Sequence, residues 1–256
     1  MDKKIIITVS FGTSYLDTLE KNIGSLERKI KASFTDFDVI RAFTSGIIIK
    51  KLAENGIKIF SVKEALAYAV HQGYADCVVQ PTTIIAGIEY ESICNDCKIF
   101  KNKFKRLHIG RPLIASTEDC IKLSDILAGS IGHTCDEAVV LMGHGSSHIM
   151  NLVYPALEYI FSQNGHDGFF VGTVEAYPTV EDVIERVKKE GYKKALLTPL
   201  MLVAGDHAQN DMAGSGESWL TSFEKAGIKT RTLIKGLGEY GKVTDMYIEH
   251  MKNDGI

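Results

Sequence analysis

SVKEALAYAVHQGYADCVVQPTTIIAGIE, residues 61–89, and TVEDVIERVKKEGYKKALLTPLMLVAGDH, residues 179–207, lie on one another without a gap at an offset of 118. Six of the 29 pairs are identical (Val62/Val180, Gly73/Gly191, Tyr74/Tyr192, Pro81/Pro199, Ala86/Ala204 and Gly87/Gly205), where chance at ordinary composition gives about two. Both copies follow one grammar: an amphipathic helix, a Gly-Tyr stop, an apolar strand, then a Pro-led loop. In the second copy Thr179 is placed to cap a helix with Asp182 three residues on, Val183, Ile184 and Val187 share a face, and Gly191 closes it. The strand predicted next is Ala195–Thr198.

Working outward, each copy is preceded by a matching strand. Ile5–Val9 runs into Ser10-Phe11-Gly12-Thr13-Ser14, and Ala138–Met142 into Gly143-His144-Gly145-Ser146-Ser147. An apolar, β-branched run halted by a small-residue turn is the signature of a buried parallel strand entering a loop and then a helix. Strands alternating with helices in two copies predict an α/β protein of two similar lobes with mainly parallel sheets. The total of 256 residues fits one large domain or two small ones; the repeat decides for two. A polar, glycine-bearing seam near residues 125–136 sets the expected lobes at 1–128 and 129–256. In such sheets ligands gather beyond the carboxyl ends of the strands, and two lobes add a central cleft.

Composition narrows the function classes. Hydrophobic residues make up 45% and charged residues 24%, which argues against a disordered or fibrous chain. The net charge of -3 provides no basic footprint for nucleic acid. The N-terminal apolar run is too short for a signal-peptide core, and no stretch approaches the roughly 18–20 apolar residues of a membrane span. The expectation is a cytoplasmic protein with neither membrane nor nucleic-acid partner. Five cysteines, an odd number, favour reduced thiols over a disulfide framework.

Three polar residues follow predicted strands in the second half. His144 follows 138–142, Glu175 follows the run from Phe169 to Val174, and His207 follows 195–198 and its Pro-led extension. Parallel topology brings all three to one sheet edge, where two imidazoles and a carboxylate suit a borderline divalent ion such as Co, Ni, Fe or Zn. In the first copy Phe11 stands for His144 and Glu89 for His207, so the first lobe lacks the imidazoles. Other readings stay open from spacing alone: a strand-end histidine serving as a structural hydrogen-bonder, Glu175 as a solvated loop acid, or residues 143–147 as an anion nest. Cys94-Asn95-Asp96-Cys97 is a C-x-x-C with no second copy, and it has no assigned role. His148, one turn from His144, serves equally well in the cleft or on a helix surface.

The segments Leu141–Ser146, Val174–Pro178 and Pro199–Gly214, with Ser10–Ser14 at the start, resemble the anaerobic sirohydrochlorin cobaltochelatase family of the CbiK type. The resemblance covers nearly the whole chain. It implies two Rossmann-like lobes around a cleft and insertion of Co²⁺ into sirohydrochlorin on the early-cobalt route to cobalamin. Carried over position by position, it makes His144, Glu175 and His207 the metal ligands, with His144 also the base. Glu89 is expected to assist deprotonation from the first lobe. Phe11 with Met201 or Leu202 is expected to touch the flat ring, and the turn amides of Ser10, Phe11 and Gly12 to meet its carboxylates. The partners implied are a tetrapyrrole and a divalent ion that is itself substrate, with no further cofactor; self-assembly stays open. The alternatives are an iron chelatase acting on sirohydrochlorin or a porphyrin, a non-catalytic tetrapyrrole or metal carrier, and a zinc hydrolase with the same ligand set.

Overall fold

The computed structural model describes residues 2–256. They form two compact units: the chain up to Ala115 together with Thr244–Ile256, and Ser116–Val243. The first unit holds strands β1 (Lys4–Ser10), β2 (Asp38–Phe43), β3 (Phe60–Ser61), β4 (Asp76–Pro81) and β5 (Arg106–Ile109), in the order β3-β2-β1-β4-β5. Every pairing in that sheet is parallel. Its helices are α1 (Leu16–Leu19), α2 (Ser25–Ser33), α3 (Gly46–Glu54), α4 (Val62–His71) and α5 (Ile88–Phe100). The second unit begins with α6 (Thr117–Ala128) and continues through β6 (Glu137–Gly143), α7 (Val153–Gln163), β7 (Phe169–Thr173), α8 (Val180–Lys189), β8 (Lys194–Pro199), α9 (Trp219–Lys225) and β9 (Lys229–Thr232). Its sheet, order β7-β6-β8-β9, is also wholly parallel. The last helix is α10 (Gly241–Asn253).

The repeat survives in three dimensions to the residue. Helix α8 begins and ends 118 residues after α4, and β8 begins and ends 118 residues after β4. Each helix opens on a capping box, Ser61 with Glu64 and Thr179 with Asp182, so two orphan amides are satisfied reciprocally in both. Gly73 and Gly191 follow at φ +75° and +86°, a left-handed backbone that stops a helix at little cost only in glycine.

Both faces of each sheet carry helices, which is why the strands read as continuous apolar runs. Every residue of β6 is buried. In the second unit Met142, Phe170, Trp219 and Phe223 share one core cluster, and such side chains each contribute about 1.5–3 kcal/mol when fully buried. The one acid in β6, Glu137, is held by Arg231 of β9 at 2.6 Å.

The boundary expected after residue 128 falls instead between Ala115 and Ser116, and residues 244–256 return to the first unit. Sequence similarity marks repeated elements, whereas a compact unit is decided by the core into which a helix turns its apolar face. Helix α6 packs on α7, where Asn164 Nδ2 donates to Ser124 Oγ at 3.0 Å. In α10 Tyr247 is fully buried and its hydroxyl donates to the Thr82 carbonyl at 2.8 Å. Among the described residues no helix is long and apolar enough to cross a membrane.

Candidate metal centre

Strands β7, β6 and β8 are neighbours in register, with Gly143 beside Thr173 and Met142 beside Pro199. Their carboxyl ends therefore lie at one edge, and the loops leaving them start within a few ångströms of each other. Two straps join the first two loops. Val174 and Glu175 donate backbone N–H groups to the carbonyls of Gly143 and His144 at 3.0 and 2.9 Å. Asn151 bridges as well, its Oδ1 accepting from the Ser146 amide at 2.9 Å and its Nδ2 donating to the Tyr177 carbonyl at 2.6 Å. The third loop is pinned by the Leu200 amide on the Met142 carbonyl at 2.7 Å. It then carries His207 to the start of a π-helical turn, Ala208–Met212, a form frequent at functional sites.

The result is one cluster in which His144, Glu175 and His207 each offer a donor atom within 4.8 Å of the others. It is the single such group of His, Cys, Asp or Glu found among the described residues. The imidazoles meet edge to face, centroids 4.8 Å apart, and His144 Nε2 lies 3.7 Å from Glu175 Oε1. Each imidazole is fixed through its other nitrogen: His144 Nδ1 meets the Gly145 carbonyl at 3.0 Å, and His207 Nδ1 meets Asp211 Oδ2 at 2.6 Å. A carbonyl and a carboxylate accept only, so both Nδ1 atoms carry a proton, and each ring in its neutral form presents an Nε2 lone pair. Metal bonds of about 2.0–2.2 Å to tetrahedral donors need a donor separation of roughly 3.4 Å. The three donors stand somewhat wider than that, and all three side chains are partly exposed, Glu175 the most.

The loop geometry depends on glycine. Gly145 has φ +89°, and a Cβ there would meet the Ala176 backbone nitrogen and Thr173 Cβ at 2.9 Å. Gly143 is covered by the ring of Tyr154, a tyrosine whose hydroxyl is pushed up to about 12 by burial.

The remaining sequence-predicted residues are distributed as follows. Phe11 is 55% exposed, whereas Ser10 is buried and accepts from Thr82 Oγ1 at 2.8 Å. Gly12, at φ +101°, lies under the Phe43 ring. Glu89 opens α5 in the first unit and accepts from Thr44 Oγ1 at 2.7 Å. Met201 keeps some surface while Leu202 is only 7% exposed. His148 caps the turn that follows it, its Nδ1 accepting from the Met150 amide at 3.2 Å. Burial raises the Cys94 thiol and pushes Cys97 up to about 12.

Two sets of residues were not singled out from sequence. Asp211 was missed although it stands four residues after His207. Exposed apolar side chains also mark the strand-end loops and helix starts: Leu16, Ile47 and Ile88 in the first unit, Ile149, Leu152 and Tyr177 in the second. Their signal was an apolar residue at a helix-opening position where polar residues are usual, as in Gly46-Ile47-Ile48-Ile49.

The chain is similar to known proteins over nearly its whole length. The cobalt chelatase (CbiK) family model matches residues 4–255. A sirohydrochlorin cobaltochelatase of Salmonella typhimurium is 43% identical over 97% of this chain and 95% of its own length. The sirohydrochlorin cobaltochelatase CbiKC of Nitratidesulfovibrio vulgaris is 30% identical over 98% and 90%. Among solved structures, SirB from Bacillus subtilis with Fe³⁺ superposes with a TM-score of 0.66 at 14% identity, covering 98% of this chain and 95% of SirB, a likeness of fold. The chain belongs to the cobalt chelatase (CbiK) family.

Proposed function

We propose that the protein is a sirohydrochlorin cobaltochelatase, an enzyme that inserts Co²⁺ into sirohydrochlorin in cobalamin biosynthesis in the cytoplasm, with no resident cofactor besides the metal it transfers. The observation that carries the reading is the His144–Glu175–His207 triangle at one sheet edge, in a chain whose family match runs from residue 4 to 255.

Insertion exchanges two protons for one ion. Two pyrrole N–H bonds break, the ring nitrogens bind Co²⁺, and two protons leave, with no change of oxidation state. His144 and His207 hold the ion through Nε2, and neutral imidazole replaces part of its water shell. When the macrocycle takes the ion, each Nε2 is returned its lone pair. His144, with Glu175 at 3.7 Å, then accepts a pyrrole proton, and the carboxylate offsets the imidazolium charge and passes the proton outward. In the first unit Phe11 is exposed, and it is, with Ser10 and Gly12 of the same turn, a candidate for contact with the substrate. In the second unit Met201 keeps some surface while Leu202 is buried, so Met201 is the better candidate of the two for apolar contact with the substrate. Glu89, already hydrogen-bonded through one oxygen, is the candidate for a second proton acceptor.

The ligand set does not choose among first-row ions, because affinity order leaves selection to geometry and supply. The test is anaerobic visible spectroscopy of sirohydrochlorin with Co²⁺ or Fe²⁺, with and without the protein. Acceleration with Co²⁺ is expected, falling about a hundredfold or more in His144→Ala and His207→Ala at subsaturating metal. A rate with Co²⁺ equal to the protein-free rate overturns the reading, and acceleration with Fe²⁺ alone reassigns it to an iron chelatase.

A further inference from the structure

We propose that Asp211 is a positioning residue that makes His207 the anchoring ligand of the incoming ion and leaves His144 as the ligand that lets go first. The inference rests on the reading of His144, Glu175 and His207 as the set that handles the metal.

The two imidazoles present the same nitrogen but are backed by different groups. His207 Nδ1 lies 2.6 Å from Asp211 Oδ2, the short separation of a charge-assisted hydrogen bond. His144 Nδ1 lies 3.0 Å from the uncharged Gly145 carbonyl, an ordinary separation. A carboxylate behind an imidazole fixes ring orientation and increases its donor strength, and removing such a partner typically costs 10–100-fold in metal affinity or activity. His207 is therefore the stronger donor.

Register selects Asp211 rather than its acidic neighbour. Asp206 adjoins His207 in sequence, but its Oδ1 accepts from Asn210 Nδ2 at 3.0 Å, while Asp211, four residues on and on the same helical face, meets His207 Nδ1. The turn itself is seated by Ala208 and Met212, both fully buried, and the Asp211 side chain is 44% exposed. Its carboxylate is thus not a packing element of the turn.

Unequal ligands suit a protein that must give its ion away. An ion held with equal strength at three points has no preferred first step toward the macrocycle. With His207 as anchor, the weaker His144 contact opens first, and the freed Nε2 is the atom beside Glu175 that is needed to take a pyrrole proton. Anchoring and deprotonation are then divided between two histidines of the same tautomer.

The experiment compares the wild-type protein with Asp211→Ala, Asp211→Asn and His207→Ala. Three readouts are used: Co²⁺ titration followed by the visible ligand-field bands without tetrapyrrole, steady-state insertion against Co²⁺ concentration, and long-range ¹H–¹⁵N NMR of the metal-free histidines. Asp211→Ala is expected to weaken Co²⁺ binding about 10–100-fold, to raise the KM for Co²⁺ by a similar factor with kcat little changed, and to release His207 from the Nδ1–H tautomer. Asp211→Asn keeps an acceptor oxygen, so it is expected to retain the tautomer with a smaller loss of affinity. A purely structural role moves neither the tautomer nor the KM-to-kcat split. If Asp211→Ala binds Co²⁺ like the wild type while His207→Ala does not, this inference fails and the metal site stands. Equal binding by His207→Ala and the wild type means the metal site itself is wrongly assigned.

Discussion

Gly145 carries two demands at one position. Its φ of +89° is open to a side chain only at a cost of about 1–2 kcal/mol, and the space a Cβ needs is taken by the backbone of Ala176 and by Thr173. Its carbonyl also fixes the tautomer of His144. Gly145→Ala is therefore expected to be less stable by at least that amount in urea unfolding. It should also lose Co²⁺ affinity in titration, because relief of the clash moves either His144 or the Glu175 loop. At this scale the sequence was informative where chemistry is carried by unusual residues at strand ends: His144, Glu175 and His207 stand out as polar groups after apolar runs. Asp211 does not stand out, since an aspartate four residues from a histidine is ordinary on any helix and its meaning depends on what the histidine faces.

The paired helices α4 and α8 give a test of how far the repeat extends into energetics. Both start on a hydroxyl that accepts from the third amide of the helix, Ser61 from Glu64 and Thr179 from Asp182. Ser61→Ala and Thr179→Ala are each expected to lower stability by about 1 kcal/mol, seen as similar shifts of the denaturant midpoint with unchanged slope. The capping signal at Thr179, the strand after each Gly-Tyr and the bounds of both repeats were legible because they depend on local chemistry and on period. The destinations of α6 and α10 were not. An amphipathic helix declares that it has an apolar face, and nothing in its own residues names the sheet that covers it.

One ion pair with a buried acid, Glu137–Arg231, ties the stability of the molecule to pH. Arg231 holds the Glu137 carboxyl below the usual carboxylate range. A lowered folded value means that the contribution to stability is full above the unfolded value, near 4.5, and is lost as pH falls through the folded one. Glu137→Gln is expected to be less stable at neutral pH and to show a shallower decline below about pH 4.5 when unfolding is followed against pH. The division of the chain also decides which part can fold without the other. The second unit is one continuous stretch, Ser116–Val243, whereas the first is closed by residues far along the chain, among them Tyr247, Met251 and Asp254, whose carboxylate pairs with Arg111 at 3.0 Å. A fragment of residues 116–243 is expected to unfold cooperatively by circular dichroism, and one of residues 129–256, cut at the repeat, is not. The second unit can thus complete its core without the residues that close the first.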